Sequence, residues 1–591
     1  MVKRSVVMLV AGLGLAAGCK AKNKTGPTEG SGSGAVTTGT GGAPTGSAGS
    51  AVVETAGSSA VGDLPVVNDC PKSLSGSEKV ARTIKKECGP VAVTGEYEVD
   101  GSLTIEAGVV LKFAPDASLS VGYNDLPAKL IVKGGDAPDQ RVLFTSGGDK
   151  APGVWKGVFL FGGADRSQIK GLDIEYAGTA DGAALRLRGA IDVAYTKSSI
   201  KHARNLGLEV IDDSTFSDFG GNTFDDIAKI ALAVEPVAVG TLGTGNTFAK
   251  DAFVEIRGGK VPTSATWKNI GAPYHVTDEI SVQTESTPTT LTLADVTLVF
   301  DSGASLAIGA SSKGKLVVTG PAIFTSADAK PGSWKGVWVY SNGEATIDNA
   351  TFIGGGRDDG GVLTAKSEAV IALGAVTFKD SKYGLWLEDH LTFTAPKALT
   401  FSGNEKAARV WADSFGAFGA ANVYGAGQIV EIAGGKLSAD VTWSPQPKAV
   451  VQVLDEVGVS DGHTLTIAGG GTYAWKPGIA LTVGDGTAGT LKVTGTAAAP
   501  VAMAAIAKGD TWNGIYLGPA SRASAITSLD LSDVGAEGGV LAKTDAVGKL
   551  DHVTCARCTA TFAPECGAKV EQTAVTAGAG TKLAVKKPDG C

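Results

Sequence analysis

Several things are scarce in this chain, and each scarcity removes a class of explanation. Lys and Arg total 52 against 60 Asp and Glu, the net charge is −8, and no basic stripe interleaves with aromatics. Nucleic acid is therefore not an expected partner. Two-residue hairpin signals such as Asn-Gly or Asp-Gly between alternating runs are few, which argues against a set of three β-sandwiches. The apolar run Val6 to Ala17 has 12 residues, well short of the roughly 20 that a membrane-spanning helix needs. Residues 20–66 hold almost no large apolar side chain. Rich in Gly, Ser, Thr and Ala, they cannot offset the entropy of ordering and are expected to form a flexible tether. Its reach is about 35–40 Å, from about 5–6 Å times the square root of its length.

What is abundant is glycine, 83 of 591 residues, together with β-branched residues at the apolar positions. That mixture predicts many short strands joined by tight corners. A block recurs three times: PGVWKGVFL around Trp155, PGSWKGVWV around Trp334 and GDTWNGIYL around Trp512, at spacings of 179 and 178. Leu185, Leu363 and Leu541 recur at 178, and Trp267 and Trp443 at 176. Repetition at this interval points to an array of stacked units. Within the first copy, Leu185-Arg186-Leu187, Leu208-Glu209-Val210, Leu232-Ala233-Val234 and Val254-Glu255-Ile256 follow at intervals of 23, 24 and 22. Their alternation marks strands with one face buried. Asn222, Asn246 and Asn404 lie in Gly-Asn segments that suit a corner repeated on each coil, because Asn and Gly tolerate left-handed backbone. A strand, a corner and another strand closing every 22–24 residues is a parallel β-helix. Roughly 22 coils stacked about 4.8 Å apart give a rod on the order of 100 Å.

The segments Gly108–Phe113, Lys129–Gly134, Val142–Ser146, Trp155–Leu160 and Ile174–Gly178 resemble those of the right-handed parallel β-helix superfamily, specifically poorly characterised, non-catalytic bacterial surface lipoproteins. The second copy matches through Leu298–Phe300, Lys315–Gly320 and Ile323–Ser326, and the third keeps Lys492–Gly495. Residues 1–19 read as an export signal: Lys3 and Arg4, an apolar run, then Gly18-Cys19. Leu15 to Cys19 resembles a lipobox, although Leu15 stands four rather than three before the cysteine. That resemblance implies a lipid anchor on Cys19, and Lys20 after it implies outer-membrane sorting, facing either the periplasm or the cell surface.

The expected organisation is a signal peptide (1–19), a linker (20–66) and an N-terminal disulfide cap (67–89). Three helix modules follow (90–270, 271–447 and a shorter 448–554), then a cysteine-rich C-terminal cap (555–591). Apart from Cys19, six cysteines remain, an even number suited to an oxidising compartment. Cys70 and Cys88 are expected to join at the front, while Cys555, Cys558, Cys566 and Cys591 staple the end with connectivity left open. The pair Cys555 and Cys558, with His552 nearby, has zinc-like spacing, but zinc requires reduced thiolates, so no metal is expected.

Glycan cleavage is the enzymatic reading to weigh, and the candidate carboxyl pairs are Asp212-Asp213, Asp225-Asp226 and Asp358-Asp359. Asn222-Thr223-Phe224 before Asp225-Asp226 resembles part of the polygalacturonase set. That family also needs Gly-His-Gly and Arg-x-Lys, and none of the five histidines has such a context. The copies share Trp, Gly, Leu and Val, which are packing residues. Trp155, Trp334 and Trp512 therefore read as core or corner anchors. Trp386 and Trp411, read as outward strand centres, are the candidate ligand-stacking residues. The expectation is a lipid-anchored envelope protein without catalysis or cofactor, structural or adhesive. Its partners would be the membrane and either a cell-surface polysaccharide or another envelope protein. A polysaccharide-binding module and a β-helix hydrolase or lyase are the alternatives.

Overall fold

Three-residue apolar triplets at a fixed interval leave the chain one economical way to bury every inward side chain, which is to wind them onto one another. The computed structural model describes residues 64–124, 126–285, 288–588 and 590, so the signal segment, Cys19, nearly all of the linker and Cys591 lie outside the described residues. The described chain is an all-β parallel solenoid of about 21 coils with about 3% helix. Pairing between named strands is parallel throughout, and the one antiparallel contact is an isolated bridge between Thr496 and Ala499. Sandwich domains would require antiparallel sheets.

Each coil has three walls. In one coil they are Gly157–Phe161 (wall 1), Gln168–Lys170 (wall 2) and Leu172–Glu175 (wall 3). The triplets stack as their spacing predicts: Leu185 pairs with Leu208, Leu208 with Leu232, and Leu232 with Val254. The same inward file runs on through Tyr274, Leu298, Phe324, Phe352, Phe378, Phe401 and Tyr424. Its last five rings stack at centroid distances of 4.5, 5.5, 5.2 and 5.4 Å. One apolar core is continuous from Leu74 to Phe562. Fully burying each such side chain contributes about 1.5–3 kcal/mol.

The corners satisfy the backbone that the walls leave open. Asn222 Oδ1 accepts from the Ser198 amide at 3.0 Å, and Asn246 Oδ1 accepts from the Asn222 amide at 3.1 Å, so the side chains form a ladder from coil to coil. Asn404 does the same for Ser381, and Asn422 for Leu399. Short helices, Pro236–Val239 and Ala412–Phe415, each replace one wall strand.

Among the described residues winding runs from Val66–Val67, paired with Ala81 and Arg82, through Leu583–Val585, so Cys555, Cys558 and Cys566 sit in the last coils. At the front, Cys70 is bonded to Cys88, and Arg82 pairs with Asp69 and Glu78, while the Tyr97 hydroxyl donates to Glu78. At the far end Cys555 is bonded to Cys558, and Cys566 is also disulfide-bonded.

The three recurrent tryptophans occupy one environment three times. Trp155, Trp334 and Trp512 are fully buried, and each Nε1 donates to a carbonyl, of Glu175, Ile353 and Ser532 respectively, at 2.8–3.0 Å. Each ring stacks on an aromatic, Phe113, Phe300 and Trp475, at 3.9, 4.3 and 4.8 Å. From Gly157–Phe161 to Gly336–Val339 there are 22 wall segments, counting the short helix, and 22 more lead to Ile515–Leu517. Twenty-two segments are seven coils and one wall. The recurring strand therefore stands on wall 1, then wall 2, then wall 3.

Candidate functional site on the outward rows

A three-residue strand in this fold has two inward side chains and one outward, so each wall carries a single central row of outward residues. On wall 2 the row reads Lys260, Ser281, Ala307, Trp338, Thr364, Trp386, Arg409, Glu431 and Gln452. Trp386 is where the sequence places it, at the outward centre of Tyr383–Leu387. Its ring is half-buried because the Arg409 guanidinium lies over it at 4.8 Å and the Tyr383 ring meets it edge-on at 5.0 Å. Glu431, only 6% exposed at its side chain, accepts from Lys406 at 3.0 Å and Tyr383 at 3.1 Å. Burial first, and then the charge of Glu431, push the Tyr383 hydroxyl pKa upward. On wall 1 Glu209 is held in the same way by Arg186 and by Arg257 at 2.7 Å.

Trp411 is not an outward strand centre. It is the residue before the helix Ala412–Phe415, and its ring lies so close to Gly435 that a Cβ there would sit 2.6 Å from the ring edge. The expectation assumed that strand alternation continued past Val410, where the helix replaces it. Leu541 also departs from its expected equivalence. Val158 pairs with Leu185 and Val337 with Leu363, but Ile515 pairs with Val540, so Leu541 falls in the outward row with Arg186 and Thr364.

The acidic pairs do not share one kind of place, and Asp225-Asp226 lies inside the strand Thr223–Ile227, where Asp225 pairs with Lys201. Asp212 and Asp213 adopt left-handed backbone at φ 53° and 59°, and Asp212 accepts from Arg188 at 2.8 Å. Asp226, at φ 47°, meets His202 Nδ1 at 2.6 Å, and the His202 ring stacks on Tyr176 at 4.8 Å. Asp358 and Asp359 lie on an exposed bend after Arg357. Among the described residues no group of three His, Cys, Asp or Glu side chains is arranged to hold a metal ion.

The copies share more than packing residues. Phe159, Trp338 and Tyr516 occupy equivalent outward positions, each with a cation from the next coil over its ring: Arg186 at 5.9 Å, Lys366 at 5.1 Å and Lys543 at 5.6 Å. Lys366–Glu388 and Lys543–Glu565 are equivalent ion pairs between successive coils, and Arg188, at the position of the two lysines, bonds Asp212 one residue beyond the equivalent of those glutamates. The hydrogen bond between Lys543 and Glu565 raises the lysine pKa and lowers that of the carboxyl. Charge identity varies among Arg, Lys, Asp and Glu, so a search for identical letters passes over them. Chemically the rows offer ring faces, hydroxyls and neutralised ion pairs. No protein-family model, no curated protein and no solved structure matches the chain, so its fold is what characterises it.

Proposed function

We propose that the chain is a lipid-anchored protein of a bacterial outer membrane, of the right-handed β-helix type. Held through Cys19 on the Gly/Ser/Thr tether of residues 20–66, it serves as a structural or adhesive surface element without catalysis. The observation that carries this reading is the solenoid, about 21 coils on one core, with the outward acids Glu388, Glu431 and Glu565 tied to lysines of the neighbouring coil. Stacking of this kind gives length and rigidity from nearest-neighbour contacts alone. Of the carboxyls available for glycan cleavage, Asp212, Asp213 and Asp226 are held in left-handed backbone, and Asp212 and Asp226 are already bonded to Arg188 and His202.

The test is fractionation of cells expressing the chain and its Cys19→Ser form. The parent should partition into detergent with the outer membrane, and the variant should move to the soluble periplasm or medium while remaining folded. Membrane partitioning of the variant would defeat the anchoring argument. Release of reducing ends from cell-wall glycans by the parent would defeat the non-catalytic one.

A further inference from the structure

After its short helix the outward row of wall 3 runs as that of wall 2 does after its own, with a lysine first and an aromatic ring fourth but different floor residues between them. It reads Lys436, Gly458, Thr482 and Tyr516 where wall 2 reads Lys260, Ser281, Ala307 and Trp338. Asp455-Glu456 likewise repeats Asp278-Glu279, and Gly434 and Gly258 both pack against the aspartate Cβ. On wall 2 the floor is closed: Ser281 and Ala307 are 9% and 2% exposed, and Glu279 is engaged by the Ser305 hydroxyl at 3.1 Å and lies close enough to Tyr340 to raise its pKa after burial does. On wall 3 the position equivalent to Tyr340 is Gly518, and Gly458 replaces the serine of the floor. A cleft of about 250 Å³ opens there, floored by Gly458 and Thr482 and edged by Lys436, Glu456, Ser460 and Asp485.

Lys366, Lys406 and Lys543 in the outward rows are paired with carboxylates. Among the described residues the side chains of Lys436, Glu456 and Asp485 make no hydrogen bond or ion pair, although Asp485 lies near enough to Tyr516 to act on its hydroxyl. Donors, acceptors and hydroxyls thus border one cleft, and the half-buried Tyr516 ring stands one coil beyond its Thr482 floor with Lys543 over one face.

We infer that this wall-3 cleft is a binding site for an uncharged glycan segment lying along the solenoid axis. Both signs of charge border it, with one more acid than base, which disfavours an anion. The floor is glycine and threonine, which disfavours a lipid or an apolar peptide. A sugar has hydroxyls that donate to Glu456 and Asp485 and accept from Lys436 and Thr482, and a C–H face that stacks on Tyr516. The row from Lys436 to Tyr516 spans three coil steps, about 14 Å, room for a few sugar units. The site deepens the adhesive reading and rests on it, but the anchoring test does not depend on it.

The experiment is titration of the full-length chain in detergent with cellohexaose, maltohexaose, chitohexaose and mannohexaose, with oligogalacturonate and inorganic phosphate as charged probes. At least one uncharged hexaose should bind. Gly458→Trp should abolish binding by filling the floor, since the nearest atoms to a Cβ there are Lys436 Cγ at 3.1 Å, the middle of a flexible side chain, Thr482 Oγ1 at 3.7 Å and Lys436 Cα at 3.8 Å, and the fold can accept it. Tyr516→Ala and Asp485→Asn, both at the surface, should each weaken binding about tenfold or less, the scale of one stacking or hydrogen-bonding contact. Trp386→Ala should leave it unchanged. Binding of none of the uncharged probes, binding of the charged probes only, or loss in Trp386→Ala with retention in Gly458→Trp would each overturn the assignment. Circular dichroism of every variant separates loss of the site from loss of the fold.

Discussion

Replacing Trp334 and Trp475 separately by Phe should give unequal losses of stability, although both rings are fully buried and the change in volume is the same. Trp334 Nε1 donates to the Ile353 carbonyl at 2.8 Å, and its ring lies flat on Phe300 at 4.3 Å. Phenylalanine keeps the stack but removes the donor, which costs about 1 kcal/mol, and more if the buried carbonyl is left unpaired. Trp475 Nε1 is buried without a hydrogen-bonding partner among the described groups, so removing it relieves a desolvated donor, worth about 1–3 kcal/mol in the opposite direction. Beyond the shared packing loss, Trp334→Phe should therefore be the more destabilising by about 2–4 kcal/mol. The chain supports the argument itself, because Phe113 and Phe300 already occupy the two positions equivalent to Trp475. A solenoid need not unfold in one step, so the assay is amide hydrogen exchange read locally at Gly336–Val339 and Thr472–Trp475, alongside guanidinium denaturation. Equal losses, or a larger loss in Trp475→Phe, would refute the reasoning.

Two further outcomes follow from the walls and their ends. At the first coil, the Arg82 guanidinium, with help from the Tyr97 hydroxyl, holds the Glu78 carboxyl below its ordinary value. Its contribution is present above the ordinary glutamate range and is lost as pH falls through the lowered value, so exchange at Ser73–Glu78 should quicken below about pH 4.5, and Glu78→Gln should flatten that dependence. A pH-independent rate in the parent would count against it. Deleting residues 157–335 joins Lys156 to Gly336 and removes 22 wall segments; the product should stay soluble and be shorter by about 35 Å in electron micrographs, and an aggregated or unshortened product would argue against additive stacking.

Much of the fold was legible because its physics is written at fixed intervals. Leu185, Leu208, Leu232 and Val254 are inward on successive coils, and Asn222 and Asn246 bond successive amides, so their spacing reports the coil directly. The site was legible in part. Trp386 stands at the outward strand centre that the triplet pattern gives it, but Arg409, which covers it, comes from the next coil and carries no mark in the local sequence. Trp411 and Leu541 were misplaced for one reason. Alternation with a period of two fixes a side chain only while the strand lasts, and a helix after Val410 or one residue fewer before Val540 exchanges inside for outside.

The same arithmetic explains why the outward rows look unrelated when read along the chain. A unit of 22 segments on three walls turns by one wall at each recurrence, so Phe159, Trp338 and Tyr516 never stack on each other and share no row. Each instead follows a different outward row on its own wall: Glu98 and Ser120 before Phe159, Ser281 and Ala307 before Trp338, Gly458 and Thr482 before Tyr516. Selection can then alter one of the three without disturbing the others, since an outward side chain contacts only its neighbours in the row and at the wall edges. The core permits less freedom: Trp155, Trp334 and Trp512 keep a carbonyl acceptor and a stacked aromatic on all three walls, and only the kind of ring changes, from Phe113 and Phe300 to Trp475. Function is therefore expected where equivalent outward positions diverge, and the exchange of Tyr340 for Gly518 beside an open cleft is the clearest such divergence.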